Sequence, residues 1–502
     1  MSLDLTMFLP VLPEILLLVL GIVVLVLDLT LPKEQRRNLG WVTAAGMGLV
    51  ILLSWPARPV NGSTLVWGGM IGHDWLSYSM TLLVVFGAGI TALFAMDYEE
   101  LGGRGEFYVL MIASTIGMAF MVSAADLVML YLAIESVSIP LYILAGFFVR
   151  DAKSTESGFK YLLFGAMASA IMLYGFSLLY GFSGTTTIIS TPEVPGLGPI
   201  ILDSMQKGQL TAVALIGSLI LVLVGFSFKI SAVPFHFWAP DVYEGAPTPV
   251  AGFLSTASKA AGFIVLMRFM LFVFPIKDTQ WPIILSALAI ATMTLGNLIA
   301  LTQRNIKRLL AYSSIAHAGY MLIGVAALFA LTSASRDATH AYWGMTSVVY
   351  YLIAYLVTNL AAFGVVAAFG RVTGSDDVTA YYGMSRRAPG LALIMMVAFL
   401  SLAGMPPLAG FFGKFLVFLA AVNAGMIPLA VIGVLNSIIG LYYYLTILKY
   451  VYLYRSEDED KPIPLTRPYK FGLILLVVAI ILIGTLIGPW YNWANTAAAS
   501  MF

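Results

Sequence analysis

The sequence predicts an all-α integral membrane protein of about 14 transmembrane helices. Three observations predict it. Apolar runs near 20 residues long recur from end to end, and an α-helix needs about that length to cross a bilayer. Of the 502 residues, 60% are hydrophobic and 10% charged, against about 25% charged in a soluble domain. Backbone polar groups in lipid must be satisfied within the segment, so these runs are helices. Barrel strands would be shorter and would alternate, and these runs do not.

The spans fall near residues 9–30, 40–57, 76–96, 107–124, 127–149, 158–182, 211–239, 247–271, 281–302, 306–330, 342–370, 388–420, 425–454 and 468–490. The first run, LPVLPEILLLVLGIVVLVLDL, is too long for a signal-peptide core and no small-residue cleavage site follows, so it reads as a retained span. The seventh is long and interrupted by Ser231 and Pro234; the twelfth is interrupted by Gly404, Pro406, Pro407 and Gly410. Proline removes a helix hydrogen bond and clashes with the preceding turn. A plain proline kink is the ordinary reading of one such site. Two broken helices that each carry a lysine point instead to a transport site. Spans 4–8 and 9–13 hold their broken helix at the same place, and a five-helix unit copied in tandem is inverted in the membrane. The expected organisation is therefore three N-terminal helices (1–105), a first repeat (106–275), a second repeat (276–455) and a C-terminal helix (456–502).

Loop charges orient the chain. With the N-terminus outside, the inner loops hold Lys33, Arg36, Arg37, Arg104, Arg150, Lys153, Lys160, Arg304, Lys307, Arg308, Arg371, Arg386, Arg387, Lys449, Arg455, Lys461, Arg467 and Lys470. The outer loops hold Arg58, Lys207, Lys277 and Arg336. This strong bias follows the positive-inside rule and puts both termini on the outer side. The loops are too short for a nucleotide-binding domain, and no Gly-rich phosphate loop is present. The chain has no cysteine, which excludes disulfides, thiolate metal sites and cysteine-bound iron–sulfur clusters within it. The expected surroundings are a lipid bilayer and not nucleic acid.

Four remaining cations and one carboxylate lie inside spans. Arg268 sits near the outer end of its span, where snorkelling to the interface is the expected explanation. Lys229, Lys259 and Lys414 lie in otherwise apolar stretches, and Glu135 lies mid-span in DLVMLYLAIESVSIPLYILAGFFV. A charge at mid-bilayer depth costs about 2.5–3.5 kcal/mol on insertion scales, so such residues face a protein interior or a water-filled path. Lysine suits a proton path because burial can bring its pKa toward neutrality, whereas arginine stays charged. Glu135 reads as the natural partner of Lys229, or as a structural ion pair or packing hydrogen bond. Hydroxyls of Ser255, Thr256 and Ser258 precede Lys259 and could extend a wire of water. His317 lies halfway along the tenth span among Tyr312, Ser313, Ser314 and Tyr320. It reads as a packing histidine or as a relay between Lys259 and Lys414. His236, Asp241 and Glu244 fall in the connection between spans seven and eight, with a structural or proton-uptake role. No cluster shows metal-ligand spacing.

The stretch FSFKISAVPFHFWAPDVYEGAPTPVAGFLSTASKAAG resembles the signature of the antiporter-like subunits of respiratory complex I. So do NIKRLLAYSSIAHAGYMLIG, LAGMPPLAGFFGKFLVF and YLAIESVSIPLYILAG. The resemblance covers roughly residues 70–455, and PFHFWAPDVYEGAP looks most like the subunit N (subunit 2) family. The related subunit L carries an extra lateral helix that is lacking here, and subunit M usually has a glutamate at the place of Lys414. The resemblance implies a proton-translocating role for Glu135, Lys229, Lys259, His317 and Lys414, with Lys414 exchanging protons with the outer side. It implies partners among the other membrane-arm subunits of a hetero-oligomer in a bacterial cell membrane. It also implies that NADH, FMN, iron–sulfur clusters and quinone are bound on other subunits, with no cofactor in this chain. A subunit of a multisubunit cation/proton antiporter is the alternative that shares this pattern.

Overall fold

The computed structural model of the protein describes residues 5–60, 62–191, 194–274, 280–334 and 338–502. Lys277 and Arg336, two of the predicted outer-loop cations, lie outside them. The chain is a bundle of helices, and among the described residues 12 are long and apolar enough to cross a membrane. Polar N-caps start many of them where the chain leaves an apolar run. Asp74 accepts from the Ser77 amide at 2.8 Å, Asp126 from Val128 at 2.8 Å and Asp151 from Lys153 at 3.1 Å. Each satisfies a backbone donor that the first helical turn leaves free.

Two predicted spans take another form. The second is helix Leu39–Leu53 of 15 residues, about 22 Å long at 1.5 Å per residue, extended by a 3-10 turn Trp55–Ala57. The twelfth is a pair of 15-residue helices, Pro389–Ala403 and Ala409–Asn423. Other boundaries shift as well. The sixth helix begins at Ala152, so Lys153 and Lys160 are helical and not in a loop. The seventh ends at Ile230, ahead of its predicted end, and a separate short helix Trp238–Gly245 follows. The final span breaks at Leu486 into Arg467–Thr485 and Ile487–Ala499. A small antiparallel hairpin pairs Thr64 with His73 and Val66 with Ile71, an element the helical pattern did not predict.

The core sits on helices Thr248–Val273 and Tyr342–Thr373, whose apolar windows are wholly buried, with Ile306–Ala330 nearly so. Helix Met7–Thr30 lies at the edge, and Leu18, Val26 and Leu29 stand exposed on its outer face. Small residues allow the close crossings expected inside a membrane bundle. A Cβ on Gly158 would stand 2.8 Å from the Gly146 Cα.

Cations gather at one end of the bundle. Arg37 and Arg371 both bind the buried Asp97, at 3.0 and 3.1 Å. Lys307 binds Asp376 at 3.1 Å, and Arg308 binds Asp241 and Glu244 at 2.6 and 3.0 Å. The predicted inner loops thus meet one another. The hairpin, the Asp126–Thr187 bridge and Arg268 lie at the opposite end. Arg268 does not snorkel. It is 1% exposed and pairs with Asp74 at 2.8 Å, because the hairpin and helix Trp75–Ala95 cover it with a ready carboxylate.

Candidate functional site

Both lysine-bearing breaks arise from the local sequence. Helix Ala212–Ile230 stops because Ser231 turns left-handed, with φ of 60°. Lys229 therefore lies in the last turn, where free carbonyls favour a cation. Its Nζ donates to Ser138 Oγ at 3.1 Å. Ser138 lies one turn after Glu135 on helix Leu127–Ala145. Glu135 itself is half-buried and accepts a hydrogen bond from Ser169 Oγ. Glu135 and Lys229 do not form the expected direct ion pair within 4.0 Å: the lysine is hydrogen-bonded to Ser138 and the carboxylate to Ser169. A neutral hydroxyl stands at the lysine instead, with the carboxylate a turn away.

Lys259 follows a five-residue π-helical segment, Leu254–Ser258, a distortion often found at functional sites. It is 1% exposed, and its Nζ donates to the Ser314 carbonyl at 2.8 Å and to Ser314 Oγ at 2.6 Å. Asn359 Nδ2 donates to Ser255 Oγ at 2.7 Å and to the Tyr355 hydroxyl at 3.1 Å, fixing the segment's other face. Ser255 is thus engaged in packing and does not touch the lysine.

One residue from Ser314, Ser313 Oγ hydrogen-bonds the Tyr444 hydroxyl. That hydroxyl lies 3.3 Å from His317 Nε2, and the Tyr351 hydroxyl lies 2.7 Å from His317 Nδ1. The imidazole is buried and held at both nitrogens. A cavity of about 10 Å³ adjoins it, lined by His317, Tyr351, Thr358, Ser401 and Gly413 among others. That is the lower limit for holding one water molecule.

The second break begins at Gly404, with φ of 90°. A Cβ there would stand 3.1 Å from Lys414 Cδ, so glycine serves both the turn and the lysine. Gly410 N–H donates to Ser401 Oγ at 3.0 Å, seating the second half-helix on the end of the first. Lys414 Nζ donates to the Ala403 carbonyl at 3.1 Å and to Ser437 Oγ at 2.9 Å. It also stands 4.8 Å from the centre of the Tyr320 ring.

Lys229, Lys259 and Lys414 thus share one pattern: each is buried, and each is held by hydroxyls or carbonyls rather than by a carboxylate. His317 is joined to the Lys259 side through Tyr444 and the Ser313–Ser314 step. Sequence reasoning missed Tyr351, Tyr444 and Ser437. The signal for the last two was there in LNSIIGLYYYL, a polar cluster within a span. His236 is buried with its ring against Phe237 and its Nδ1 unpartnered, outside this group. Asp241 and Glu244 belong to the ion-pair cluster with Lys153, Lys160 and Arg308. Burial pushes both carboxyls up, but hydrogen bonds from Lys160 and Arg308 to Asp241, and from Lys153 and Arg308 to Glu244, outweigh it and hold both below the usual range.

Residues 124–440 match the family described as NADH:quinone oxidoreductase/Mrp antiporter, transmembrane. The NADH-quinone oxidoreductase subunit N of Moorella thermoacetica is 40% identical over 97% of this chain and 98% of its own. The chain belongs to the subunit N/subunit 2 family of NADH-quinone oxidoreductase. The NAD(P)H-quinone oxidoreductase subunit 2 of Gloeothece citriformis is 38% identical over 97% of this chain and 93% of its own. A chain of respiratory complex I from Thermus thermophilus superposes with a TM-score of 0.77 at 32% identity, covering 96% of this chain and 98% of that one. A chain of the Mrp complex from Dietzia shares the fold, with a TM-score of 0.83 at 21% identity over 100% of this chain and 98% of that one. Membership agrees with the membrane bundle and with the signature stretches, which fall on the two breaks, on the helix that carries His317 and on the helix that carries Glu135.

Proposed function

We propose that this chain is a proton-translocating membrane-arm subunit of an NADH:quinone oxidoreductase, working beside other membrane subunits in a hetero-oligomer of the bacterial cell membrane. NADH, flavin, iron–sulfur clusters and quinone are then bound on those other subunits. The observation that carries this reading is the shared setting of the three lysines, buried and hydrogen-bonded to neutral groups, two of them at helix breaks. A cation without a carboxylate partner gives up its proton more readily than one locked in an ion pair.

In this reading Glu135 biases Lys229 from one turn away. Electron transfer elsewhere shifts that carboxylate relative to the lysine, and the proton leaves Lys229 for Lys259. Ser231 Oγ, Tyr243 hydroxyl and Asn359 Oδ1 are buried without a protein partner. Groups of that kind hold buried water, which would bridge the gap. From Lys259 the proton passes by Ser314, Ser313, Tyr444 and His317 to Lys414 and the outer side. The architecture proposed with it is 14 helices, counting Leu39–Leu53 and the Pro389–Ala403/Ala409–Asn423 pair as spans. Residues 106–275 and 276–455 form inverted repeats, flanked by helices in 1–105 and 456–502, with both termini outside.

The test is Lys229→Ala in sealed vesicles of the assembled enzyme. We expect fewer protons pumped per electron while NADH oxidation continues; an unchanged ratio would sink the route. The fold shared with the Dietzia Mrp chain supports a second reading, a cation/proton antiporter subunit. Sodium-dependent proton flux without NADH would favour it.

A further inference from the structure

A groove of about 560 Å³ lies between the first helix and the 64–73 hairpin, apart from the lysines. Its size falls within the roughly 300–1,000 Å³ of small-molecule sites. Phe8, Leu18, Trp67, Ile116, Phe120 and Met129 form much of its wall, and among the described residues the ionisable side chain that lines it is Glu14. Glu14 is 7% exposed, and its Oε2 has no hydrogen-bond partner. Buried carboxylates are ordinarily paired or fully hydrogen-bonded. The Phe8 and Trp67 rings meet edge to face at 5.5 Å beside it. Leu18, Trp67 and Met70 are each more than two-fifths exposed, so the groove opens sideways onto the apolar surface of the bundle.

These features define an occupant. The walls require a long apolar body. The unpartnered carboxylate oxygen requires a donor, preferably a cation. The aromatic faces favour a cation in the same place. A quinone or an ester offers acceptors only and so meets Glu14 only in its protonated form, whereas an ammonium group pairs with the carboxylate directly. Tryptophan sits at headgroup level in membrane proteins, which places Trp67 where a lipid headgroup would be. We propose that the groove binds one aminophospholipid, with its primary ammonium on Glu14 Oε2 beside Trp67 and Phe8. One acyl chain then runs along Ile116, Phe120 and Met129. This does not rest on the proton path.

The experiment uses the whole assembled enzyme carrying a tagged copy of this chain. The enzyme is delipidated in mild detergent and titrated with phosphatidylethanolamine or phosphatidylcholine, and bound lipid is counted by native mass spectrometry. Phosphatidylethanolamine should occupy a tight site that phosphatidylcholine, having no N–H, fills poorly. Glu14→Gln should weaken that site roughly tenfold or more, as expected for losing a charged hydrogen bond. Trp67→Leu, at the exposed rim, should weaken it while keeping the carboxylate. Equal binding of the two lipids by the unaltered enzyme overturns the proposal, whether or not the variants assemble. So does a Glu14→Gln enzyme that holds phosphatidylethanolamine as tightly as before, or a photoreactive residue at Leu18 that cross-links to a neighbouring subunit instead of to lipid.

Discussion

Arg268 and Asp74 meet at 2.8 Å with 1% of each side chain exposed, and the guanidinium also donates to Ser77 Oγ at 2.7 Å. Their 194-residue separation kept the pair out of reach of sequence reasoning, which could see an arginine near a span end but not the carboxylate folded over it. Removing one partner leaves a buried charge alone, at a cost of about 3–5 kcal/mol. Arg268→Leu should therefore lower the thermal midpoint of the assembled enzyme markedly. The double variant Arg268→Leu/Asp74→Leu should recover much of the loss, which a melting series of the four forms would measure. The buried lysines were legible for the opposite reason: a lysine inside an apolar run is visible with no knowledge of its partners. Tyr444 was harder to read, since a tyrosine in a span is usually an interface anchor and only the polar cluster LNSIIGLYYYL around it argues otherwise. Its hydroxyl joins Ser313 to His317. Tyr444→Phe keeps the ring and removes the link, so protons pumped per electron should fall while assembly is retained. A Tyr444→Phe enzyme that pumps at the original ratio would remove Tyr444 from the path.

At the scale of elements, the two breaks follow from residues that cannot continue a helix, so Ser231–Pro234 and Gly404–Gly410 announced them. The π-helical segment before Lys259 had no such marker, because Leu254–Ser258 contains nothing that breaks a helix. Gly404 carries the sharpest consequence. Its φ of 90° suits glycine, and an added Cβ meets the Lys414 stem at 3.1 Å. Gly404→Ala should cost about 1–3 kcal/mol in backbone strain and displace Lys414 from Ser437. Proton transfer should fall more than NADH oxidation, which vesicle assays run side by side can separate. The helix Trp238–Gly245 makes a different prediction. Asp241 and Glu244 are held below the usual carboxylate range by their cations. A depressed folded-state pKa adds stability above the unfolded value, and that stability is lost as pH falls through the folded value. The cluster should therefore hold through neutral pH and loosen only on acidification below about 4. Hydrogen exchange of 238–245 across that range would report it, and Glu244→Gln should reduce the acid-induced change.

For the whole molecule, hydropathy gave the membrane bundle because every apolar run must bury its own backbone bonds. At Leu39–Leu53 and at the Pro389–Ala403/Ala409–Asn423 pair the apolar stretch is longer than any one helix within it, so hydropathy marks the stretch but not where its helices end. The hairpin at 64–73 escaped because three-residue strands carry too little alternation to read. Orientation is where the sequence and the bundle bear on each other most directly. The cations assigned inside by the positive-inside rule sit on shared acidic partners at one end: Arg37 and Arg371 on Asp97, and Lys160 and Arg308 on Asp241. That end also holds the loop of Arg386 and Glu459, while Arg268 and the hairpin mark the other. The rule then requires the Asp97 end to face the cytoplasm. Because the chain has no cysteine, single cysteines can test this without background. Asp460→Cys and Gln209→Cys both replace exposed residues, one at each predicted side. A membrane-impermeant thiol reagent should label Gln209→Cys in right-side-out vesicles and Asp460→Cys only in inside-out ones. The reverse pattern would invert the bundle and send Lys414's protons to the cytoplasmic side, which no outward pump could use.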